Sequence, residues 1–189
     1  MPLSTDIILS TARDCFFRHG YSASNISMIS RYAGISRVTI HKQFGSKEEL
    51  FRAVCLAHQQ SIQALLPQYQ LKHDEVWVQI ETMLLDWGRP LFEEIKDELV
   101  AKDLMQAASH YCEKEMSEHV NILIAHVEKM LQTAQQQRQL SFANSDMNAA
   151  QLSRCLVWSV RGLYMTASST DASESMLALV KLYKAALRN

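Results

Sequence analysis

Apolar residues recur every three to four positions along most of the chain, the spacing that lays a single stripe along a helix. Ile8, Leu9, Ala12, Cys15, Phe16 and His19 trace one face of an opening helix, which Gly20 is placed to end in a left-handed conformation. Ile26, Ile29, Tyr32 and Ala33 mark a second, shorter helix, with Ser24 or Asn25 able to accept hydrogen bonds from its first free amides. Gly34 ends that helix, Ile35 anchors a turn, and Ser36 caps a third helix of roughly 37–43 whose Ile40 and Phe44 point inward. Alternating strand-like stretches are absent, and five glycines and three prolines leave little punctuation. The pattern predicts an all-α chain of about nine helices, the later ones near 46–66, 74–88, 90–110, 113–138, 146–168 and 173–187. Pro67 is expected to help end the fourth, Gly88 and Pro90 to part the fifth from the sixth, and Asn144 to Asp146 to supply a turn.

The stretch SNISMISRYAGISRVTIHKQF thus reads as a helix-turn-helix, a unit whose second helix can enter the major groove of DNA while the first crosses the backbone. With Ile40 inward, Val38 and Lys42 face outward and Thr39 and His41 lie on the shoulders. Arg37, at the amino end, can fork onto a guanine edge, and Val38 and the Thr39 methyl can touch a thymine methyl. Ser27, Ser36, Arg37, Val38, Thr39, His41, Lys42, Gln43 and Lys47 are the candidate DNA contacts, with Ser27, Lys42 and Lys47 assigned to the backbone. In GSKEEL, Gly45 breaks the recognition helix, Ser46 caps the next one, and Glu49 three residues on completes a capping box. Lys47 then stands among free first-turn amides that suit a phosphate.

The surrounding stretch, ILSTARDCFFRHGYSASNISMISRYAGISRVTIHKQFGSKEELFRAV, resembles the DNA-binding domain of TetR-type bacterial transcriptional regulators from end to end. The resemblance is carried by Ala12, Phe16, Gly20-Tyr21, Ile29, Ala33-Gly34, Ser36, Thr39, Phe44 and the run Ser46 to Leu50. It departs at His41, where the family usually has tyrosine, and at Lys42-Gln43. The resemblance implies a three-helix DNA-binding domain over 1–45, followed over 46–189 by a helical domain for effector binding and dimerisation.

Charge leans the same way. Residues 1–60 hold seven Lys/Arg against four Asp/Glu, whereas the remainder holds twelve against sixteen. Because phosphate neutralisation carries much of the affinity for DNA, so modest an excess predicts two heads acting together. The 189 residues, 48% hydrophobic and 21% charged, suffice for a substantial core in one or two compact units. No apolar run is long enough to span a bilayer, and MPLSTDIILS lacks the features of a secretory leader, so the chain is expected to stay cytoplasmic. Cys15, Cys55, Cys112 and Cys155 form no close pairs in sequence and are expected to be reduced and mostly buried, with redox sensing a minor alternative.

The last two helices are apolar around much of their circumference, more than one neighbour can cover. Leu152, Leu156, Val160, Leu163, Tyr164, Met176, Leu179, Val180, Tyr183 and Leu187 are therefore expected to meet a twin subunit. The resemblance implies the same four-helix interface, which sets two recognition helices about 34–36 Å apart. Trp77, Met83, Trp87, Phe92, Met105, Tyr111, Trp158 and Met165, with Gln106, His110, His126 and Arg161 as polar contacts, are candidates for lining a small-molecule pocket. That such a pocket exists is chiefly an implication of the resemblance, since aromatic and methionine positions on helices are more often plain core.

Neither a metal nor a cofactor is expected. Cys112, His119 and His126 fall about 10 Å apart along a helix axis, no Cys-pair zinc motif occurs, and neither a phosphate-cradling loop nor a nucleophile elbow is present. The reading is a homodimeric DNA-binding regulator, not an enzyme, expected to be a repressor that leaves a palindromic operator when a largely apolar small molecule binds. Two alternatives stay open: a ligand-independent DNA binder that recruits a protein, and a helical enzyme or carrier whose head no longer binds DNA.

Overall fold

The computed structural model describes residues 2–72, 74–89, 93–143, 145–166 and 169–187. Among them are nine helices and no strand: α1 (Pro2–Ala23), α2 (Ile26–Ala33), α3 (Arg37–Phe44), α4 (Lys47–Lys72), α5 (Val76–Arg89), α6 (Glu98–Tyr111), α7 (Glu113–Gln136), α8 (Ala149–Thr166) and α9 (Ser169–Ala186). The all-α expectation holds, and several ends move for identifiable reasons.

Pro67 does not stop α4, which continues to Lys72. Proline lacks an amide donor and crowds the preceding turn, but Leu66 and Tyr69 on either side of it are buried, and their packing holds the helix together. α6 begins later than its hydrophobic pattern suggests, because the Asp97 carboxylate accepts from the amides of Leu99 and Val100 and fixes the start there. α8 likewise starts from a reciprocal cap, in which Asn148 Oδ1 accepts from Gln151 N–H and Gln151 Oε1 accepts from Asn148 N–H. Of the expected turn at 144–146, Asp146 adopts a left-handed φ of 49°, while Asn144 lies outside the described residues.

The chain divides by packing into two compact units, Met1–Ser61 with Glu93–Met116, and Ile62–Phe92 with Ser117–Asn189. The start of α4 and all of α6 pack with the amino-terminal helices. In the first unit α1 packs on α2 and α6. Its core holds Ile8, Ala12, Phe16, Ile29, Ile40, Leu50 and Phe51, with Phe16 and Phe51 edge to face at 5.1 Å between centroids.

In the second unit, α5, α7, α8 and α9 share one core that includes Trp77, Ile80, Met83, Leu123, Val127, Leu131, Leu156, Val160, Met176 and Val180. Tyr164 donates from its hydroxyl to the Leu84 carbonyl at 2.6 Å, tying α8 to α5 through a buried polar contact. Leu152, Leu156, Val160, Tyr164, Met176, Val180 and Leu187 are buried within the chain itself, and Leu163, Leu179 and Tyr183 pack partly against them. Among the described residues, the large apolar side chains these two helices leave exposed are Trp158, Met165 and Leu182, at 46%, 41% and 69%.

Candidate nucleic-acid interface

The amino-terminal unit builds a small projecting surface from caps and one buried anchor. Asn25, not Ser24, caps α2, its Oδ1 accepting from Met28 N–H at 2.9 Å. Ser24 instead turns inward and donates to the Gly20 carbonyl at 2.6 Å. Gly34, at φ 64° and ψ 22°, takes the left-handed conformation that side-chain-bearing residues resist, and its amide closes on Ser30 O. The Ser30 hydroxyl donates to Ile35 O at 2.6 Å, which fixes the turn. Ser36 Oγ then accepts from Thr39 N–H at 3.1 Å and starts α3.

Ile40 is fully buried and sets the rotation of α3. Arg37, Val38, His41, Lys42 and Gln43 are consequently exposed, Val38 at 78%. Thr39 is half-buried with its hydroxyl 2.8 Å from Ser36 Oγ, so its polar group serves the cap. Arg37 Nη1 donates to the exposed Ser27 hydroxyl at 3.3 Å, which brings a residue of α2 beside the amino end of α3. Gln43 Nε2 donates to Ser4 Oγ at 3.4 Å. Tyr32, expected on the inner face of α2, is 54% exposed with the Arg31 guanidinium 5.7 Å from its ring centroid. Eight residues give too few turns to decide between faces by spacing alone, and Ile29 by itself fills the inward position.

Lys47 is the clearest departure. Its ammonium donates to the carbonyls of Tyr21 and Ser24 at 3.1 and 3.2 Å and lies 4.0 Å from the centroid of the Tyr21 ring. The group is turned inward, where two backbone carbonyls around the end of α1 accept from it and an aromatic face lies beneath it. Burial first, then contact with Tyr111 and Glu48, holds the Tyr21 phenol protonated well above its usual range. The expected capping box is half formed: Ser46 Oγ accepts from Glu49 N–H at 3.2 Å, but the Glu49 carboxylate pairs with Arg52 at 2.9 Å.

Sequence reasoning missed Asp103 on α6. Its carboxylate accepts from the Ser22 amide at 2.9 Å and from the Ser22 hydroxyl, just past Gly20, whose φ of 82° and ψ of 168° break α1. Burial opposes the Asp103 charge, but the Ser22 hydrogen bonds and nearby Lys47 outweigh it and hold the acid below its usual range. Gly20 was the available signal, since a helix-terminating glycine needs a partner for the freed amides.

The candidate pocket residues fall in both units. Met105, Gln106, His110 and Tyr111 belong to the first unit, where Tyr111 packs on Tyr21 and Gln106 and His110 are exposed. In the second unit Trp77 and Met83 are core, Trp158 and Met165 face outward, and the Arg161 guanidinium sits 5.0 Å from the Trp158 centroid. His126 is half-buried, and burial lowers its imidazole pKa. Phe92 lies outside the described residues. A mixed polar and aromatic cluster does form around Trp87, whose ring lies 5.6 Å from Tyr164 and 6.1 Å from His119, with Gln63 3.4 Å from His119 Nδ1. Elsewhere in this unit a groove of about 400 Å³ is lined by Asp74, Glu75, Val76, Trp77, Gln139, Lys184 and Leu187. Among the described residues no group of three His, Cys, Asp or Glu is placed to hold a metal ion, and no helix is long and apolar enough to cross a membrane.

Residues 8–54, which hold these caps and the Ile40 anchor, match the family model of bacterial regulatory proteins, tetR family. That match is confined to the amino-terminal segment. A comparison with curated protein sequences finds no match. The TetR-type fold extends over the whole chain. A TetR transcription regulator from Haloarcula marismortui is 16% identical with a TM-score of 0.80 over 100% of both chains. A TetR-family regulator from Agrobacterium tumefaciens is 17% identical, with a TM-score of 0.72 over 100% of this chain and 99% of that one. A third, from Pectobacterium atrosepticum, is 13% identical at 0.73, covering 97% and 93%. The segment that matches the family model contains α2 and α3, the helix-turn-helix.

Proposed function

We propose that the protein is a homodimeric repressor that binds a palindromic operator through paired α3 helices and leaves it when a small molecule binds the carboxy-terminal unit. The observation that carries the reading is the outward row Arg37, Val38, His41, Lys42 and Gln43 on a helix whose rotation is fixed by fully buried Ile40. Arg37 suits a guanine edge, Val38 a thymine methyl, and Lys42 a phosphate. Ser27 and Ser36 border the same surface, and Lys47 contributes by holding the head together rather than by touching DNA.

The pairing surface is assigned to the exposed side of α8 and α9, where Trp158, Met165 and Leu182 stand free of the chain's own core. The effector site is assigned to the cluster of Trp87, His119, Tyr164 and Gln63, an apolar setting with few polar groups. The α4 helix, which runs from the end of the helix-turn-helix into the second unit, is the connection through which an effector changes the separation of the heads.

Genomic footprinting with purified protein tests the reading. A protected palindrome whose half-site centres lie one helical turn apart or a multiple of it is expected, with binding that weakens as salt rises. Absence of any protected fragment at low salt rejects it. Persistent binding across candidate metabolites would favour the alternative in which a protein partner, not a small molecule, is the second ligand.

A further inference from the structure

A polar cleft of about 220 Å³ lies in the amino-terminal unit, where Thr11, Asp14, Cys15, Arg18 and His19 of α1 face Tyr32 of α2. Asp14 and Arg18 stand four residues apart on the helix, the spacing at which opposite charges ordinarily pair. They do not pair with each other. Asp14 makes a long contact of 3.8 Å with Arg13, which is itself engaged by Glu94 and lies 4.3 Å from the centre of the Phe17 ring. Arg18 is exposed and, among the described residues, has neither an ion pair nor a hydrogen bond. His19 lines the same cleft, and its Nε2 is shielded from solvent without a hydrogen-bond partner, a condition that folded proteins seldom tolerate.

We propose that this cleft binds a free α-amino acid as its zwitterion, with the carboxylate on Arg18 and the ammonium on Asp14. The guanidinium presents a planar fork of N–H donors that a carboxylate accepts in two parallel bonds. The ammonium supplies Asp14 with the counter-charge that a shared Arg13 leaves incomplete. Both poles of an α-amino acid sit on one carbon, so a single small molecule meets two side chains whose Cβ atoms are about 5–6 Å apart on a helix face. A simple carboxylate would set a second negative charge against Asp14, and a simple amine would leave Arg18 without a partner.

The remaining lining fits an occupant of that size and polarity. Its volume falls below the range of about 300–1,000 Å³ typical of drug-sized ligands, which restricts the occupant to a small molecule. The Thr11 and Tyr32 hydroxyls and the unpartnered His19 nitrogen are further hydrogen-bonding groups for the two poles. Cys15 adds no competing charge, because burial first, then Asp14, push its thiol up against an opposing pull from Arg18. Tyr32 is 54% exposed, so its ring offers an apolar face for the ligand's own side chain. The cleft is separate from the effector cluster assigned to the second unit.

Isothermal titration of the full chain with glycine, L-serine, L-leucine and L-phenylalanine, each up to about 10 mM, tests the proposal without DNA. One bound molecule per chain is expected for at least one of them. The amide of that amino acid, which lacks the carboxylate, and its N-acetyl derivative, which lacks the ammonium, should each bind about tenfold more weakly or worse, the scale of a lost charged hydrogen bond. Arg18→Gln and Asp14→Asn should each weaken the parent amino acid to a similar extent. Both side chains are exposed, so the two variants should melt with the parent in the absence of ligand. No binding by any of the four amino acids, equal binding of acetate, or binding that survives both substitutions would overturn the proposal.

Discussion

Lys47 sits with its ammonium 4.0 Å above the centre of the Tyr21 ring while donating to the Tyr21 carbonyl at 3.1 Å. The side chain clamps the end of α1 and the approach to α2 against the first turn of α4. Lys47→Ala should therefore lower stability by about 1–3 kcal/mol, the range for losing charged hydrogen bonds at half-buried carbonyls. Thermal melting reads this directly. At a temperature where the variant is folded, the slope of DNA affinity against salt should match that of the parent. A slope reduced by about one unit would restore Lys47 to the phosphates.

Gly20 combines a conformation close to glycine-only backbone space with the close approach of Asp103. A Cβ at this position would lie 2.6 Å from Asp103 Oδ2. Gly20→Ala is expected to cost about 1–3 kcal/mol from the backbone alone, with the clash added. Combining it with Asp103→Ala removes the clash but not the strain, so denaturant melts of the double variant should recover part of the difference. Full recovery would show that the backbone conformation contributes nothing.

Arg37 and Lys42 should separate by sequence dependence. Arg37→Ala is expected to weaken the operator by about 1–3 kcal/mol and relax preference at one base position, whereas Lys42→Ala weakens all sequences alike. Uniform loss for both, in a competition assay against mutated operators, would reassign Arg37 to the backbone. Ser27, which holds Arg37 in the free protein, should show a smaller effect when replaced by alanine.

Acid should weaken the fold in part through His58. Burial, and secondarily Arg13, lowers its imidazole against a smaller opposing pull from Glu94. The unfolded chain then binds the proton more readily than the folded one, so stability is complete above the ordinary imidazole value of about 6.5 and declines as pH falls through it toward the lower folded value. His58→Gln should flatten that part of a stability profile measured by chemical denaturation. A profile unchanged between pH 7 and about 5 would assign the acid sensitivity elsewhere.

Trp158→Glu and Leu182→Glu place charges on the exposed side of α8 and α9 while leaving the core side untouched. Each should shift sedimentation from dimer to monomer with little change in thermal stability measured at low concentration. Operator affinity should fall with dimerisation. A dimer that survives both substitutions would place the interface on another surface.

Helix content and the turn–helix unit were legible because they rest on local physics. Ile8, Ala12 and Phe16 recur at helical spacing, and Gly34 and Ser36 stop and start helices through their own backbone and side-chain chemistry. The exposed row on α3 followed from a single buried residue, Ile40. Longer-range partners left no such trace in the chain. Whether Leu156 and Val180 face their own core or a second subunit depends on which helix arrives beside them, because an apolar side chain is equally content with either.

The sequence by itself determined the helices, the cap at Ser36 and the residues that α3 turns outward, since these depend on neighbours within about one helical turn. Tertiary structure decided that Lys47 faces Tyr21 and that Asp103 serves Ser22 beyond Gly20. Each of these joins groups more than twenty residues apart. Their energies come from burial and geometry that exist only once the chain has closed, so spacing along the sequence carries no record of them.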